Sequence, residues 1–593
     1  MNTAEYIVKR LEELGVNDFF GLSCDYNFNL IYAVESNPCT NWIGCTNGLN
    51  AAYAANGYAR IKGYGTVITA FGGELNTANA IAASMAENIP IVNIVGLPSS
   101  KQIKEEAQLN LNNTDYRTYL NTFLSITGAA TLLEKDNTKQ EIDRILRIMV
   151  NEKKPVYIAV PSDIAKQKID DKYPDYNISS EKDTLIIAAQ KIAEKISKSK
   201  RPVIIGDSLI KRFDAEIEYK EFVKHSGIPV SNLLMGINII DMDYEKYIGG
   251  YFGKFRNPIA KKYIDDSDCL IGVGIIYNRQ NAFDISLAKK INNSIAIYGN
   301  HTYIDGKLYK NIKMSDLLEA ITKLIQPLNI GIDKPNIGYK PRLAEVVPLT
   351  TDYIYSRIQD FIKENDIVIA ELGSSLHGIA QIKFPANVDI ETQAQWGSIG
   401  WATPAALGAC IAKPQTRVIL ITGDGAHQQT CLEIGSMLHY GVKPIVIVIN
   451  NNGYAAERLL CRDSKDSIND VISMNYSKFA RVFDGDVWST RVSTSEDFDK
   501  ALKVTQIMNK MCYIEVSTDS LDTPQLTQDI ADSLKEICQY EPETNESLIS
   551  EKISDININE FVTYDTNNSF EYETIVHKGF IEDTNNDEDK KNE

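Results

Sequence analysis

The stretch from Arg417 to Tyr454 constrains the fold more than any other part of the 593-residue chain. One run rich in β-branched residues, "RVILITGDG", ends in Gly-Asp-Gly, and a second, "KPIVIVINNNGY", follows after a helical pattern. Two apolar strands joined by a helix form a βαβ unit with parallel strands. The sequence therefore predicts an open α/β sheet here, with polar residues at the ends of adjacent strands.

The polar residues at these two strand ends predict a cation and phosphate site. Asp424 follows the first strand and Asn451 the second, so their side chains are expected to converge. A carboxylate, an amide oxygen and a loop carbonyl suit a hard cation such as Mg²⁺, which keeps phosphate oxygens among its ligands. The flanking glycines let backbone amides approach those phosphates. A simple strand-end turn is the alternative, and the asparagines after 24 intervening residues disfavour it.

Alternating strand-like and helical patterns recur in three blocks of the chain. Clear strand candidates are "GTVITAF" and "PIVNIVG" in the first block and "RPVIIGD" in the second. We predict an α/β protein with three doubly wound parallel-sheet domains, at residues 1–165, 183–328 and 346–540, separated by linkers. The central domain is Rossmann-like but lacks G-x-G-x-x-G, so we interpret it as structural, with a small-effector site as the alternative.

The composition excludes several classes of function. The net charge of −18 argues against nucleic acid as a partner, because nucleic-acid binding needs a basic face. No apolar run reaches the length of about 18 residues that a membrane helix needs, and the first residues read as a helix, not a signal peptide. Nine scattered cysteines include no C-x-x-C pair, so neither a zinc site nor a disulfide framework is indicated. We expect a cytoplasmic protein with reduced thiols.

Much of the negative charge lies at the carboxyl end. Residues 541–593 contain 15 acidic and 4 basic residues, and the last of them include few apolar side chains. Such a composition is typical of a solvated tail that stays largely disordered. An arm that binds a partner is the alternative.

Several long motifs resemble one family of enzymes. They are, in the third block, "QAQWGSIGWATPAALGA" and "NNNGYAAERLL" and, in the first block, "CDYNFNL", "GLNAAYAANGYARIKG", "GGELNTANAIAASMAENIPIVNIVGLPSS" and "TDY". Together with the Gly-Asp-Gly unit they resemble the pyruvate and indolepyruvate decarboxylase branch of the thiamine diphosphate (ThDP) enzymes, from roughly residue 1 to 540. The resemblance implies a pyrimidine-binding first domain, a central domain and a diphosphate-binding third domain.

The resemblance also implies roles for individual residues. Asp424, Asn451 and the carbonyl of Gly453 match the ligands of Mg²⁺. The carbonyl of Gly397 matches the acceptor for the 4′-amino group, and Ile399 matches the apolar wedge that bends the cofactor. Further positions that match cofactor contacts are Gly373, Ser374, Gly425, Ala426 and Tyr454.

Asp25 and Glu457 match two acids of the reaction centre in this family. Such enzymes place the cofactor between the first block of one chain and the third block of another. The resemblance therefore implies a homodimer at least, commonly a homotetramer. It also implies a small 2-oxo acid as substrate and no nucleic-acid or membrane partner.

Gly48 departs from the family pattern. The family carries glutamate at this position of "NGLNAAYA", where the carboxylate hydrogen-bonds pyrimidine nitrogen N1′ and promotes the tautomer that removes the C2 proton. A charge-assisted hydrogen bond of this kind is strong in a buried site, and glycine has no side chain to make it. Gly48 therefore predicts another route of activation, through water or a different acid. Glyoxylate carboligases also carry an apolar residue here.

A histidine pair is also missing. Decarboxylases of this branch carry His-His shortly before "TDY", where it transfers protons beside the substrate. In this chain the pair falls near Gln108 and Leu109, and the first histidine of the sequence is His225. Neither residue titrates near neutral pH, so ordinary acid–base catalysis is absent from this side of the pocket.

The expected substrate pocket carries smaller or more apolar side chains than usual. Leu372 and Leu376 stand where pyruvate decarboxylases usually have threonine and a bulky aromatic residue, and Ala455 and Ala456 replace a larger pair. These changes predict a roomier, more apolar pocket that favours a branched or aromatic 2-oxo acid. Ordinary packing is the alternative for each position.

Two histidines lie close to these motifs. His427 follows Gly425 by two residues, and His377 follows Leu376 directly. A lone histidine is more often a structural residue with its hydrogen bonds satisfied, and this is our interpretation of both. A catalytic role is the alternative.

Three functional hypotheses follow. The first is ThDP- and Mg²⁺-dependent cleavage of a 2-oxo acid through an acyl-anion intermediate, at a non-standard active site. The second is a carboligase, because slower protonation of that carbanion would favour its attack on a second carbonyl. The third is a catalytically degenerate homologue that acts as a scaffold or regulator.

Overall fold

A computed structural model of the chain describes residues 1–109, 116–170, 176, 179–284, 286–342, 348–461, 464 and 466–538. The prediction of a disordered acidic tail at residues 541–593 lies outside these ranges. None of the helices within them combines the length and the apolar character that a bilayer crossing requires.

The first sheet is parallel throughout its described strands. Its strands lie in the order β2-β1-β3-β4-β6-β5, and neighbouring strands run in the same direction. The strands are β1 Asp18–Gly21, β2 Asn41–Gly44, β3 Gly65–Ala70, β4 Ile91–Leu97, β5 Ala129–Leu132 and β6 Val156–Pro161. The helices are α1 Thr3–Glu13, α2 Phe28–Ser36, α3 Gly48–Lys62, α4 Ala78–Ala86, α5 Ser100–Leu109, α6 Tyr116–Leu124 and α7 Thr138–Glu152, with 3₁₀ turns at Gly73–Thr77 and Ile164–Lys166.

The second sheet has an antiparallel edge. Its order is β12-β11-β10-β9-β7-β8, and β11 runs against both β10 and β12, because the connections at this edge are too short for a crossover helix. The strands are β7 Pro202–Gly206, β8 Val230–Asn232, β9 Cys269–Val273, β10 Ile295–Ile297, β11 His301–Ile304 and β12 Lys307–Lys310. The helices are α8 Lys182–Lys198, α9 Leu209–Arg212, α10 Glu216–Ser226, α11 Pro258–Asp265, α12 Arg279–Ala282, α13 Ser286–Asn292 and α14 Met314–Leu324, with a 3₁₀ turn at Leu234–Gly236.

The third sheet is again parallel in the described residues, with strand order β14-β13-β15-β16-β18-β17. The strands are β13 Ile367–Ala370, β14 Asp389–Glu391, β15 Val418–Gly423, β16 Ile445–Asn450, β17 Val487–Val492 and β18 Met511–Ser517. The helices are α15 Thr351–Phe361, α16 Ser374–Ile379, α17 Ala402–Ala412, α18 Asp424–Thr430, α19 Glu433–His439, α20 Ala455–Leu460, α21 Tyr476–Phe479, α22 Ser495–Thr505 and α23 Gln525–Cys538, with a 3₁₀ turn at Ser467–Asn469.

The predicted fold class is confirmed, with three α/β units of mainly parallel sheet. Each sheet draws its strands from one predicted block, whereas the domain limits at residues 165, 183, 328, 346 and 540 stay predictions. The antiparallel edge of the second sheet was not predicted, because its strands are only three or four residues long. Strands that short give little periodicity to distinguish their direction.

The first and third sheets are joined by close packing of α3 against α17. A Cβ atom on Gly57 of α3 would lie 2.2 Å from the carbonyl oxygen of Ala405, and one on Gly408 of α17 would lie 2.0 Å from that of Ala54. The two backbones therefore touch where each helix carries glycine. Buried alanines surround this contact, which sets the position of Gly48 at the start of α3.

We expect Gly408→Ala to destabilise the protein, because the added methyl group would overlap the Ala54 carbonyl. Overpacking of this kind typically costs about 1–3 kcal/mol of unfolding free energy. The thermal unfolding midpoint of the variant should fall, while that of Gly331→Ala should not. Gly331 is exposed, and no described atom lies within 4 Å of the position of its Cβ. Equal midpoints for the two variants would contradict this account of the helix contact.

Candidate active site

Asp424 joins the ends of two neighbouring strands of the third sheet. Strands β15 and β16 pair in parallel with Gly423 opposite Ile449, so both segments leave the sheet at the same edge. Asp424 is 1% exposed. Its Oδ1 accepts the N–H of Gly425 at 2.7 Å, and its Oδ2 accepts the N–H of Gly453 at 3.0 Å. One carboxylate therefore fixes the turns that follow both strands.

The turn after β16 requires glycine at position 453. The backbone of Gly453 has φ +156°, and a Cβ atom there would lie 2.2 Å from the carbonyl oxygen of Asn469. Any larger residue would push this turn away from the neighbouring segment. The glycine therefore allows the N–H of residue 453 to reach Asp424.

Arg458 braces the same turn from behind. Its guanidinium donates to the carbonyl oxygens of Asn451 at 3.1 Å and Asn452 at 2.6 Å, and it pairs with Asp470 at 2.6 Å. The Arg458 side chain is almost fully buried. A planar guanidinium can satisfy several acceptors at once, so one side chain holds the turn in shape.

The donor set at these strand ends fits a hard cation. Asn451 is buried, and its side chain makes no hydrogen bond within the described part of the chain, which leaves its amide oxygen available. Burial raises the pKa of Asp424 to about 6, and a bound divalent cation would favour the charged carboxylate instead. No cluster of three or more His, Cys, Asp or Glu suited to a metal occurs among the described residues. Mixed oxygen ligands are those that Mg²⁺ prefers.

Small residues line the space beside this donor set. Gly425 and Ala426 lie in the first turn of α18, and the ring of Tyr454 would lie 2.5 Å from a Cβ on Gly425. Gly373 precedes α16, which begins at Ser374, and no described atom lies within 4 Å of the position of a Cβ on Gly373. The backbone is thus accessible on the Gly373 side, as close approach of a diphosphate requires.

Gly397 lies in a loop that is hydrogen-bonded to two helices of the first α/β unit. A Cβ on Gly397 would lie 3.4 Å from Cδ2 of Leu372. The next residue, Ser398, has its Oγ 2.6 Å from the hydroxyl of Tyr53, and it accepts the Nδ2 donor of Asn79 at 2.8 Å. The loop is therefore anchored to α3 and α4.

The pocket residues named from the sequence lie in different environments. Ile399 and Leu372 are half-buried, as an apolar wall beside Gly397 would be. Leu376 is completely buried within the hydrophobic core, so in this chain its side chain packs there. Ala455 and Ala456 begin α20, the first buried and the second half-buried.

Gly48 and the two predicted acids differ in burial, and no described hydrogen bond links the acids to each other. Asp25 is exposed in the loop between β1 and α2, and Gly48 is buried at the first turn of α3. Glu457 is exposed on α20, and no hydrogen bond among the described residues joins it to Asp25. Their roles in one reaction centre stay a prediction that requires a second copy of the chain.

Comparisons with known proteins agree with this geometry. The thiamine pyrophosphate enzyme N-terminal TPP binding domain matches residues 1–116, the central domain 189–321 and the C-terminal TPP binding domain 373–516. The Saccharomyces cerevisiae protein named pyruvate decarboxylase isozyme 2 is 31% identical over 541 residues, covering 88% of this chain and 96% of its own. The chain belongs to the thiamine diphosphate-dependent 2-oxo acid decarboxylases. ThDP and Mg²⁺ are the usual cofactors of this family.

Bacterial and other yeast relatives show similar coverage. The protein named alpha-keto-acid decarboxylase from Mycolicibacterium paratuberculosis is 29% identical over 538 residues, which cover 88% of this chain and 94% of the relative. The Kluyveromyces lactis protein named pyruvate decarboxylase is 30% identical over 539 residues, covering 88% of this chain and 96% of its own. The similarity thus extends through all three domains of the decarboxylase family.

The position of the missing histidine pair lies at the end of α5. Gln108 and Leu109 are the last residues of this helix, and nothing beyond their backbone lies within the described part of the structure. The next residues, 110–115, also lie outside it. Their place in a substrate pocket stays a prediction.

The two histidines near the motifs have structural hydrogen bonds. His427 lies 2.8 Å from both the hydroxyl of Thr403 and that of Tyr513, and burial lowers its pKa to about 3. His377 lies 3.0 Å from the hydroxyl of Thr527 on α23, and burial lowers its pKa to about 4. Both rings are neutral at pH 7 and have protein partners, which supports the structural interpretation.

Glu371 was not predicted as a site residue, although it positions the loop after Gly397. Its carboxylate accepts the N–H of Gly400 at 3.1 Å and that of Ala402 at 3.2 Å, and burial raises its pKa to about 7. About thirty residues separate the partners, so no local periodicity indicates the contact. The adjacent substitution at Leu372 was the only nearby signal.

Glu74 is a second buried acid that the sequence did not reveal. It lies in the 3₁₀ turn Gly73–Thr77, is fully buried, and has neither carboxylate oxygen in a well-formed hydrogen bond among the described residues. Burial raises its pKa to about 7, although the nearby N–H groups of residues 72 and 74 partly oppose this. A protonated carboxyl therefore predominates below neutral pH.

We expect Arg458→Lys to weaken the binding of ThDP with Mg²⁺ by about tenfold, because a lysine ammonium cannot replace the planar guanidinium on all its acceptors. Tryptophan-fluorescence titration with the cofactor at fixed Mg²⁺ would measure the change. Arg481→Lys is the matched control, since Arg481 donates to Ser489 away from the strand ends. Equal affinities for the two variants would show that the brace does not shape the site.

We expect Glu74→Gln to stabilise the protein above neutral pH and not below about pH 4.5. The unfolded chain loses this proton near the ordinary pKa of 4.5, the folded chain near 7, so folding stability falls as pH rises between them. The neutral amide avoids this loss, which amounts to about 3 kcal/mol at most. The thermal unfolding midpoints of variant and wild type should therefore diverge as pH rises.

Glu221→Gln is the control for this pH dependence. Glu221 is exposed on α10, so the same chemical change there should shift the midpoint equally at all pH values. If Glu74→Gln also gave a shift independent of pH, the carboxyl would be solvated or paired in the folded protein.

Proposed function

We propose that the protein is a ThDP- and Mg²⁺-dependent 2-oxo acid decarboxylase with a non-standard active site. The observation that carries this proposal is the arrangement of residues at the metal end of the site, where β15 and β16 end and Mg²⁺ is expected to bind. Buried Asp424 ties two strand ends together beside the unpaired amide of Asn451, on a turn that Arg458 braces. A chain of this family that had lost catalysis would have no need to hold these groups so firmly.

The residues of the chain supply binding and proton transfer in this proposal. When bound, ThDP would supply a carbon nucleophile and a sink for the electron pair that is released with carbon dioxide. Asp424, Asn451 and the carbonyl of Gly453 would hold Mg²⁺ against the diphosphate. The exposed carboxyls of Asp25 and Glu457 would orient the substrate carboxylate and exchange protons with the reacting carbon.

A homodimer is the smallest unit that we propose, and a homotetramer is the usual assembly implied by the family. Exposed apolar side chains near the expected interface support this. Phe28 and Tyr32 stack on α2 with 43% and 60% of their surfaces exposed, and Leu75, within the 3₁₀ turn Gly73–Thr77, is 42% exposed. Exposed aromatic and aliphatic groups around a site are typical of a surface that a partner covers.

The substrate proposal is a branched or aromatic 2-oxo acid. Leu372 contacts the Gly397 position, Ile399 is half-buried beside it, and Ala456 is small. An apolar wall next to a small side chain suits a bulky apolar substituent. Leu376, also predicted for this wall, is completely buried in the hydrophobic core, and its place in the pocket stays a prediction.

A carboligase is the second candidate, and one observation favours it. No histidine precedes His225, so the first sheet offers no imidazole to deliver a proton to the product. Slow protonation gives a second carbonyl compound time to react and form an acyloin. A degenerate homologue, the third hypothesis, would bind the cofactor without any turnover.

A product screen by mass spectrometry tests these proposals. Purified protein with ThDP and Mg²⁺ would be incubated with a panel of 2-oxo acids, with and without acceptor aldehydes. We expect carbon dioxide and aldehyde from wild type, and at least a hundredfold less from Asp25→Ala and Glu457→Gln, as for loss of a general acid or base. Acyloin as the main product would favour the carboligase instead.

Glu221→Gln serves again as the control, because this exposed residue lies on the central domain. Its product yield should equal that of wild type. Cofactor binding without product from any donor would favour the degenerate homologue, and failure to bind ThDP with Mg²⁺ would contradict both enzymatic proposals.

A further inference from the structure

Gly48 is covered by the 3₁₀ turn Gly73–Thr77. A Cβ atom on Gly48 would lie 3.0 Å from Cβ of Asn76, 3.3 Å from the carbonyl oxygen of Gly73 and 3.7 Å from Cγ2 of Thr77. The first distance is shorter than an ordinary carbon–carbon contact of about 3.5 Å. The turn therefore occupies part of the space where a side chain at position 48 would begin.

Asn76 is the described residue nearest to the missing side chain, since its Cβ lies 3.0 Å from the position of a Cβ on Gly48. Its side chain therefore begins beside the region that a carboxylate at position 48 would occupy. Asn76 is exposed, and its side chain makes no hydrogen bond within the described residues. A polar group is thus available next to the position where glycine has no side chain.

Glu74 lies on the same turn but is fully buried, whereas Asn76 is exposed. Side chains in a 3₁₀ turn repeat every three residues, so Glu74 shares its side with Thr77 and Asn76 with Gly73. The Thr77 hydroxyl accepts the Nδ2 donor of Asn93 in strand β4, which places that side toward the sheet. Glu74 is fully buried there, so Asn76 is the polar residue of this turn that is open to a ligand.

On the basis of the proposed function, we propose that Asn76 replaces the missing glutamate by donating a hydrogen bond to N1′ of the bound aminopyrimidine. A carboxamide N–H can donate to a ring nitrogen, but it has no proton to release. The bond is neutral, and neutral bonds are roughly half as strong as charge-assisted ones. Because this bond uses the lone pair of N1′, it holds the aminopyrimidine in its unprotonated form, without a carboxyl group beside the ring.

Cofactor binding and near-ultraviolet circular dichroism test this proposal without any substrate. Asn76→Ala should bind ThDP with Mg²⁺ about tenfold more weakly, as expected for loss of one hydrogen bond. The dichroism of the bound aminopyrimidine should be independent of pH in wild type and should titrate in Asn76→Asp, which adds a carboxyl of the same size. Glu74→Gln should leave affinity and spectrum unchanged.

A double variant tests the geometry directly. Gly48→Glu combined with Asn76→Gly removes the crowding Cβ and restores the family's carboxylate, so its cofactor spectrum should titrate with pH. A spectrum independent of pH in this variant would overturn the proposal, as would wild-type affinity in Asn76→Ala. An altered spectrum in Glu74→Gln would assign the role to Glu74.

The two proposals fail in different ways. If Asn76→Ala binds ThDP with Mg²⁺ as tightly as wild type does, only the assignment of Asn76 is wrong. If wild type does not bind the cofactor at all, the proposed function and the role of Asn76 are both wrong. An unfolding midpoint of Asn76→Ala equal to that of wild type would show that its loss of affinity is not a loss of fold.

Discussion

A buried ion cluster around Glu391 fixes the positions of the three sheets relative to one another. The carboxylate of Glu391, on β14, pairs with Arg60 of α3 at 3.1 Å and with Arg212 of α9 at 2.6 Å, so it joins the third sheet to helices of the other two. Burial alone would raise the pKa of Glu391, but the facing cations hold it well below its usual range. Arg60 also pairs with Glu87, whose Oε1 accepts the N–H of Gln395 at 2.8 Å. Charges buried this deeply are stable only when every partner is in place. The loop that carries the predicted 4′-amino contact therefore depends on the relative placement of all three sheets.

The sequence was sufficient to predict three mainly parallel sheets and the adjacent strand ends that carry Asp424 and Asn451, and the physical reason is local. Strands of a parallel sheet are buried on both faces, so they appear as continuous apolar runs, and any polar residue at their ends is conspicuous. Asp424 and Asn451 are such residues, and strands β15 and β16 lie side by side as the pattern predicts. The antiparallel edge of the second sheet was not predictable in this way, because strands of three or four residues carry almost no pattern.

The contacts that support the site could not be predicted, because they join residues distant in sequence. Arg60 and Glu391 are 331 positions apart, and no spacing rule relates them. The role of Arg458 could not be predicted for another reason. It donates to nearby backbone carbonyl oxygens, and every residue in any sequence has such an oxygen. The structural nature of His427 likewise depends on two hydroxyls from other elements. A lone histidine in a sequence therefore indicates only which role is more common, and its hydrogen-bond partners in the structure decide which role it has.

The two ends of the candidate cofactor site are under different constraints. At the metal end, Asp424, Gly453 and Arg458 determine one another, because each contacts the others or the turn between them, so a change at one position disturbs all. At the pyrimidine end, the backbone contact with α17 fixes the position of α3. This contact places no requirement on the side chain of Gly48, the first residue of α3. Once position 48 is glycine, the turn that carries Asn76 can close over it without moving α3. Position 48 can therefore change without disturbing α3, whereas Asp424, Gly453 and Arg458 cannot change independently of one another.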